Sequence, residues 1–275
     1  DYVLHPEGHS VLLTTRGKPF TMGNWEGAVL QHGEPDGVRY RLTRWLNDGK
    51  RLITVSDAAG EESLEIHHID VTQTPERLPD MDIGTPVNLA VSPQKDQLVL
   101  SNHRFELILI DLESKEMRLL DKSRYGRIAE VSWAPDGRWV AYGISLTQQT
   151  TSIKLCKIES GETWELTQPV LHDVNPTFDP EGKYLYFLSY REFNPVYDNL
   201  HFDLNFPRGM RPYLITLRKD LPSPFIPVPK PLVEKEEKKE DKPREGDGAA
   251  GALPSPAEQE KPVEIDLEGI ENRVV

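Results

Sequence analysis

One short pattern recurs five times along the chain, and a repeat of that length narrows the possible folds more than anything else in the sequence. Its clearest copies are Trp133-Ala-Pro-Asp-Gly-Arg-Trp-Val-Ala-Tyr142 and Phe178-Asp-Pro-Glu-Gly-Lys-Tyr-Leu-Tyr-Phe187. Leu4-His-Pro-Glu-Gly-His-Ser-Val-Leu-Leu13, Leu46-Asn-Asp-Gly-Lys-Arg-Leu-Ile-Thr-Val55 and Val91-Ser-Pro-Gln-Lys-Asp-Gln-Leu-Val-Leu100 follow the same plan. Aligned on the turn, the copies place Pro6, Asn47, Pro93, Pro135 and Pro180 at one position, 41 to 46 residues apart. Proline presets φ, the acidic or amide residue bonds to nearby backbone, and glycine accepts a positive φ, so each copy reads as a strand, a tight turn and a second strand. The third copy carries Lys95-Asp96 where glycine is expected, and its turn should differ in detail.

Two more strands follow in each unit, as in Glu106-Leu-Ile-Leu-Ile-Asp111 with Met117-Arg-Leu-Leu120, or Ser152-Ile-Lys-Leu-Cys-Lys-Ile158 with Thr163-Trp-Glu-Leu166. These runs are too short and too rich in β-branched and aromatic residues for the 3.6-residue period of a helical array. Four strands per repeat make a propeller blade. The expected fold is all-β, an incomplete β-propeller of about five four-stranded blades plus the start of another, with a seven-bladed ring expected in the parent. Residues 1–221 are read as blades, 222–262 as a Pro-, Glu- and Lys-rich insertion or linker without order of its own, and 263–275 as the start of a further strand. The stretch Tyr190 to Pro212 is long for a blade loop and holds five aromatics, so it is expected to fold onto the propeller as a functional insertion.

The net charge of −13 argues against nucleic acid and anionic membranes as partners. The single cysteine, Cys156, leaves no internal disulfide and no cysteine-rich metal motif. With no apolar run long enough to span a membrane and no signal-peptide pattern at Asp1 to Ser10, the expected location is the cytoplasm.

Catalytic motifs are missing. Gly246-Asp-Gly-Ala-Ala-Gly251 fits a dinucleotide pattern by letter, but lacks the strand and helix that give the pattern its meaning. There is no Gly-x-Ser-x-Gly elbow and no His-Glu-x-x-His. His67 and His68 are neighbours in a strand, point to opposite faces, and read as surface histidines. His172-Asp173 precedes an innermost strand and reads as a structural tie more readily than a dyad. Trp133, Trp139 and Trp164 read as packing between blades. No catalytic residue, metal or cofactor is assigned.

One constellation is a candidate site. The residues just after each second strand occupy equivalent places and include Arg16, Asp57, Asn102, Arg104 and Arg191, with His172 nearby. Such loops converge at one end of a propeller, where the arginines could ring a channel and draw in carboxylates; an ordinary solvated rim is the other reading.

The stretches Phe178 to Ser189, Arg191-Glu-Phe-Asn-Pro-Val-Tyr-Asp198, Phe206-Pro-Arg-Gly-Met-Arg-Pro-Tyr-Leu-Ile-Thr-Leu217 and Leu221-Pro-Ser-Pro-Phe225 resemble the second propeller of tricorn-type proteases. Arg16-Gly-Lys-Pro-Phe-Thr21 resembles its first blade, and Ile265 to Val275 the entry to a later one. The resemblance implies a channel that admits peptide to an oligomeric serine peptidase whose PDZ and catalytic domains lie outside these residues. Peptides, those further domains and identical subunits are then the partners, and this piece by itself would be inactive. The competing readings are a free-standing scaffold of the TolB or WD-repeat kind and a propeller hydrolase with its own site. A PDZ and peptidase region beyond Val275 would favour the first reading, and a stop after ring closure the scaffold.

Overall fold

A computed structural model describes residues 1–79, 81–192, 194–207, 209–227 and 262–275. The repeat folds as four-stranded antiparallel blades. Blade 1 comprises β1 (Tyr2–Leu4), β2 (Ser10–Thr15), β3 (Lys18–Gly23) and β4 (Leu30–Gln31), and blade 2 comprises β5 (Tyr40–Trp45), β6 (Arg51–Ser56), β7 (Ser63–His68) and β8 (Glu76–Arg77). Blade 3 is β9 (Pro86–Val91), β10 (Gln97–Asn102), β11 (Glu106–Asp111) and β12 (Met117–Lys122). Blade 4 is β13 (Ala129–Trp133), β14 (Trp139–Ser145), β15 (Thr151–Lys157) and β16 (Thr163–Glu165). Blade 5 begins with β17 (Asp173–Phe178) and β18 (Tyr184–Ser189). It is then interrupted by a separate hairpin, β19 (Val196–Asp198) with β20 (Asp203–Asn205), before β21 (Arg211–Thr216) resumes the sheet.

The turn chemistry does what the repeat requires. In the first, second, fourth and fifth copies the glycine N–H returns to the residue three before it, as Gly137 to Ala134 at 2.9 Å and Gly182 to Asp179 at 2.9 Å. Gly137 holds φ of 66° there, a conformation a Cβ would strain. The third copy closes the same hairpin through Ser92 N–H to Gln97 at 2.8 Å, and the Ser92 hydroxyl accepts from the Gln94 and Lys95 amides. Lys95 therefore never needs the left-handed conformation.

Both faces of the middle strands are buried, because successive side chains point to opposite sides of a sheet. Leu98 and Leu100 join an all-aliphatic cluster with Ile53, Ile66 and Leu89 between blades 2 and 3. Val99, between them, joins Tyr142, Ile144 and Leu109 between blades 3 and 4. Trp139 and, half-buried, Trp164 pack between blades 4 and 5 with Phe178 and Phe187. Trp45 and Trp133 stand at the same place in their inner strands, and each indole N–H donates to the preceding blade, to the Val3 carbonyl at 3.3 Å and the Ala90 carbonyl at 3.0 Å.

Two expectations need correcting. The insertion does not pack down as a lid: Val196, Tyr197, Leu200, Phe202 and Leu204 of the β19–β20 hairpin are all exposed, since a two-stranded ribbon offers no second layer to bury them. His67 is buried, not superficial, because Glu65 lies 3.2 Å from its ring nitrogen and supplies the partner a buried imidazole needs. The residues read as the start of a further strand end beside blade 5, where Val274 bridges Ile215 antiparallel and Val275 and Leu214 exchange two backbone hydrogen bonds of 2.9 and 3.0 Å. Most of the 222–262 segment, with the Gly246 to Gly251 pattern, lies outside the described residues. Among the described residues no helix is long and apolar enough to cross a membrane.

Candidate functional site

The connections leaving each second strand and those entering each first strand share one end of the sheets. A backbone bond ties them together blade after blade: Asp57 N–H to Arg39 at 3.3 Å, His103 N–H to Thr85 at 2.9 Å and Tyr190 N–H to His172 at 3.0 Å. Side chains build on this tie. Asp57 accepts the Arg39 amide at 2.7 Å. Asn102 is fully buried and uses its whole amide: it donates to the Ile83 carbonyl and to Glu106, and accepts from the amides of Arg104 and Glu106.

The candidate arginines are brought to this end, but with acids already on two of them. Arg104 makes hydrogen bonds of 2.8 and 2.9 Å to the Asp82 carboxylate and one of 2.9 Å to Glu106. The Asn102 amide, followed by Lys122 and Arg104, draws the Glu106 carboxyl down to about 2. Arg191 lies over the rings of Phe187 and Tyr213 and reaches the buried Asp173 at 2.9 Å; Asp173 also accepts the Ser189 hydroxyl at 2.5 Å. Arg16 is exposed, with φ of 48° in the β2–β3 turn. His172 sits 3.4 Å from the Thr151 hydroxyl and meets the Tyr190 ring edge-on. A cavity of about 650 Å³ opens at this end between blades 2 and 3, lined by Glu61, Glu62, Asp82, Ile83 and His103. With Glu62 paired to Arg41 and Asp82 to Arg104, that sector presents paired charges rather than free arginines.

The inner strands carry a feature that their sequences scarcely announce. Leu42, Glu130 and Asn175 occupy the same place in β5, β13 and β17, and each adopts a left-handed φ, of 53°, 59° and 55°. The register of each strand against its neighbour shifts there, as a bulge requires. Strain at a non-glycine residue persists only where surrounding structure enforces it, and it gathers at functional positions. Here it aims Glu130 at blade 5: the Asn175 backbone N–H donates to its carboxylate at 2.6 Å, and the Asn175 side-chain amide, turned with its NH2 toward Glu130, donates at 2.8 and 3.0 Å. Asparagine tolerates this conformation, so Asn175 was a faint signal; leucine and glutamate gave none.

His5, Glu7 and His9 approach one another closely enough to suggest a metal site. The His5 ring is nevertheless committed on both sides, accepting the Glu7 amide at 3.1 Å and facing the Gly49 carbonyl at 2.9 Å. Neither nitrogen is left for an ion.

Comparison with known proteins accords with this architecture. The family described as the tricorn protease second beta propeller domain matches residues 1–275. A putative tricorn-like protease C-terminal subunit of Sulfurisphaera tokodaii is 37% identical over 78% of the chain and 24% of its own length, and a tricorn protease homolog of Saccharolobus solfataricus is 37% identical over 76% and 19%. The crystal structure of the tricorn protease superposes with a TM-score of 0.77 at 23% identity, covering 100% of this chain and 24% of that one. A putative TolB from Agrobacterium tumefaciens reaches 0.56 at 18% identity, a likeness of fold alone. The chain thus spans less than a third of the tricorn relatives it matches. By the repeat, the blades and the match across its whole length, this chain belongs to the tricorn protease second β-propeller family.

Proposed function

We propose that this propeller guides extended peptides toward the peptidase domains of a tricorn-like serine protease, without catalysing hydrolysis itself, in the cytoplasm and within an assembly of identical subunits. The observation that supports the reading most is the recurring bulge of β5, β13 and β17. These strands lie at one edge of their sheets, so the edge away from β6, β14 and β18 keeps backbone donors and acceptors without a strand partner. An extended peptide has the complementary groups. Glu130 and Asn175 would contact its backbone and polar side chains, and Arg16, Asp57, Arg104, His172 and Arg191 would form the rim it crosses, with Asn102 buried beneath that rim as a tie between its loops rather than as a contact. The ion pairs at Arg104 and Arg191 make that rim a rigid mixed-charge surface, better suited to many peptide sequences than to acidic ones alone.

Glu130→Lys in the full-length protein tests this. Hydrolysis of long peptides should change at least threefold in kcat/KM, while di- and tripeptide substrates keep their rates. Equal effects on long and short substrates, or none on either, would overturn the reading.

A further inference from the structure

The repeat supplies its own control for the grooves between blades, at the end of the sheets opposite the rim. Between blades 2 and 3 the groove is closed by charge pairing: Arg51 of β6 reaches Asp96 of the next blade at 2.8 Å, and Glu76 of β8 pairs with Lys115. Between blades 3 and 4 the same places carry different charges. Counting from the turn, Arg138 stands where blade 3 has Asp96, and Gln97 stands where blade 2 has Arg51. Lys157, opposite Trp139 in the β14–β15 pairing, takes the place of Asp111, which is opposite Gln97 in β10–β11. Two acids have become two cations.

The result is an open groove rather than a closed one. A cavity of about 530 Å³ lies there, of the size that holds small molecules. Lys95, Arg118, Arg138 and Lys157 line it above the apolar Leu109 and Ile158. Among the described residues no carboxylate lies within ion-pair distance of Lys95, Arg138 or Lys157. Arg118 is fixed across the groove by the carbonyls of Ile158 and Glu159, and Lys157 is held over the Trp139 ring at 5.9 Å. The one lining acid, Glu159, is exposed. On a chain with a net charge of −13, four cations around one cavity are a local reversal of sign. Like charges lining one cavity repel, and an anion shared among them relieves that repulsion.

We infer that the groove between blades 3 and 4 is a binding site for a small polyanion, a molecule carrying two or more carboxylate or phosphate groups. Arg138 and Lys157 supply the charge, Arg118 the fixed edge, and Leu109 and Ile158 the floor. The site rests on the groove's own chemistry and stands whether or not the propeller guides peptides.

Isothermal titration calorimetry of the 275-residue chain with citrate and, separately, with pyrophosphate tests the inference. Saturable binding of at least one is expected, weakening as sodium chloride is raised. Citrate alone identifies a carboxylate site and pyrophosphate alone a phosphate site. Arg138→Glu and Lys157→Glu should each weaken binding at least tenfold, whereas Lys115→Gln in the neighbouring groove should retain parental affinity. Circular dichroism checks the fold of each variant, and Arg138→Gln and Lys157→Gln, with an expected loss of threefold or more, carry the test if a reversal does not fold. The inference is overturned by absence of saturable binding to both anions, by parental affinity in the Arg138 and Lys157 variants, or by an equal loss in Lys115→Gln.

Discussion

The two interfaces that flank blade 3 solve the same packing problem by different means. Toward blade 2 the buried cluster is leucine, isoleucine and valine, with Met81 packed against it, and its charges sit at the edge in ion pairs. Toward blade 4 the cluster includes Tyr142, whose hydroxyl donates to Asp121 at 2.7 Å, and Lys154 reaches the same carboxylate oxygen at 3.1 Å. The first interface depends on shape and area. The second adds a polar network with little exposure, which favours one arrangement of the blades because any other leaves a charge without its partner.

The difference predicts how each interface breaks. Leu98→Ala, at a fully buried position on the blade 2 side, should produce the largest loss, about 2–5 kcal/mol in chemical denaturation, from lost contacts and a cavity. A loss below about 1 kcal/mol would show that the interface can collapse around the gap. Asp121→Asn should cost about 2 kcal/mol by removing a charged acceptor from Tyr142 and Lys154. If Asp121→Asn and Lys154→Met are additive in a double-mutant cycle, the network is no unit and the contrast between interfaces fails.

Acid should separate the two further. Burial by itself would raise the Asp121 carboxyl, but the hydrogen bonds from Tyr142 and Lys154 outweigh it and hold it below its ordinary value. Glu106 is depressed from 4.5 to about 2. A depressed carboxyl contributes stability in full above its unfolded pKa and loses it as pH falls through the folded one, so these contributions should fade between about pH 4.5 and pH 2. Denaturation midpoints measured across that window should fall for the parent chain and fall less steeply for Asp121→Asn and Glu106→Gln.

Turn substitutions should have the smallest effects. Gly137→Ala places a Cβ at φ of 66° with the Gln94 Cβ 3.1 Å away, and should cost about 1 kcal/mol. Lys95→Gly, at the matching place in blade 3, should bring no gain and a loss of at most about 1 kcal/mol, because that turn needs no left-handed residue. A clear stabilisation by Lys95→Gly, read from thermal midpoints, would mean that the third turn is strained after all.

Much of this architecture was legible in the residues. The turn pattern and its spacing carried the blade count, and the short apolar runs carried the strands, because each depends on neighbours in sequence. The candidate rim was legible as a set of equivalent positions. Its charge state was not: Asp82 and Arg104 are brought together by the chain's entry into blade 3, and Asp173 meets Arg191 across β17 and β18. His67 differs: Glu65, two residues away on the same strand face, was legible as its partner, and only the burial of that face was not.

The sequence by itself determined that the chain repeats a four-stranded unit, how each unit turns, and which strands are apolar enough to be buried, since local backbone preference and side-chain alternation act within a few residues. Only the tertiary structure decided which charges cancel and which stay unpaired, where the inner strands bulge, and that the last residues return to blade 5. Those outcomes depend on groups well separated in sequence meeting within and between blades, from Arg191 and Asp173, 18 residues apart, to Arg51 and Asp96, 45 residues apart.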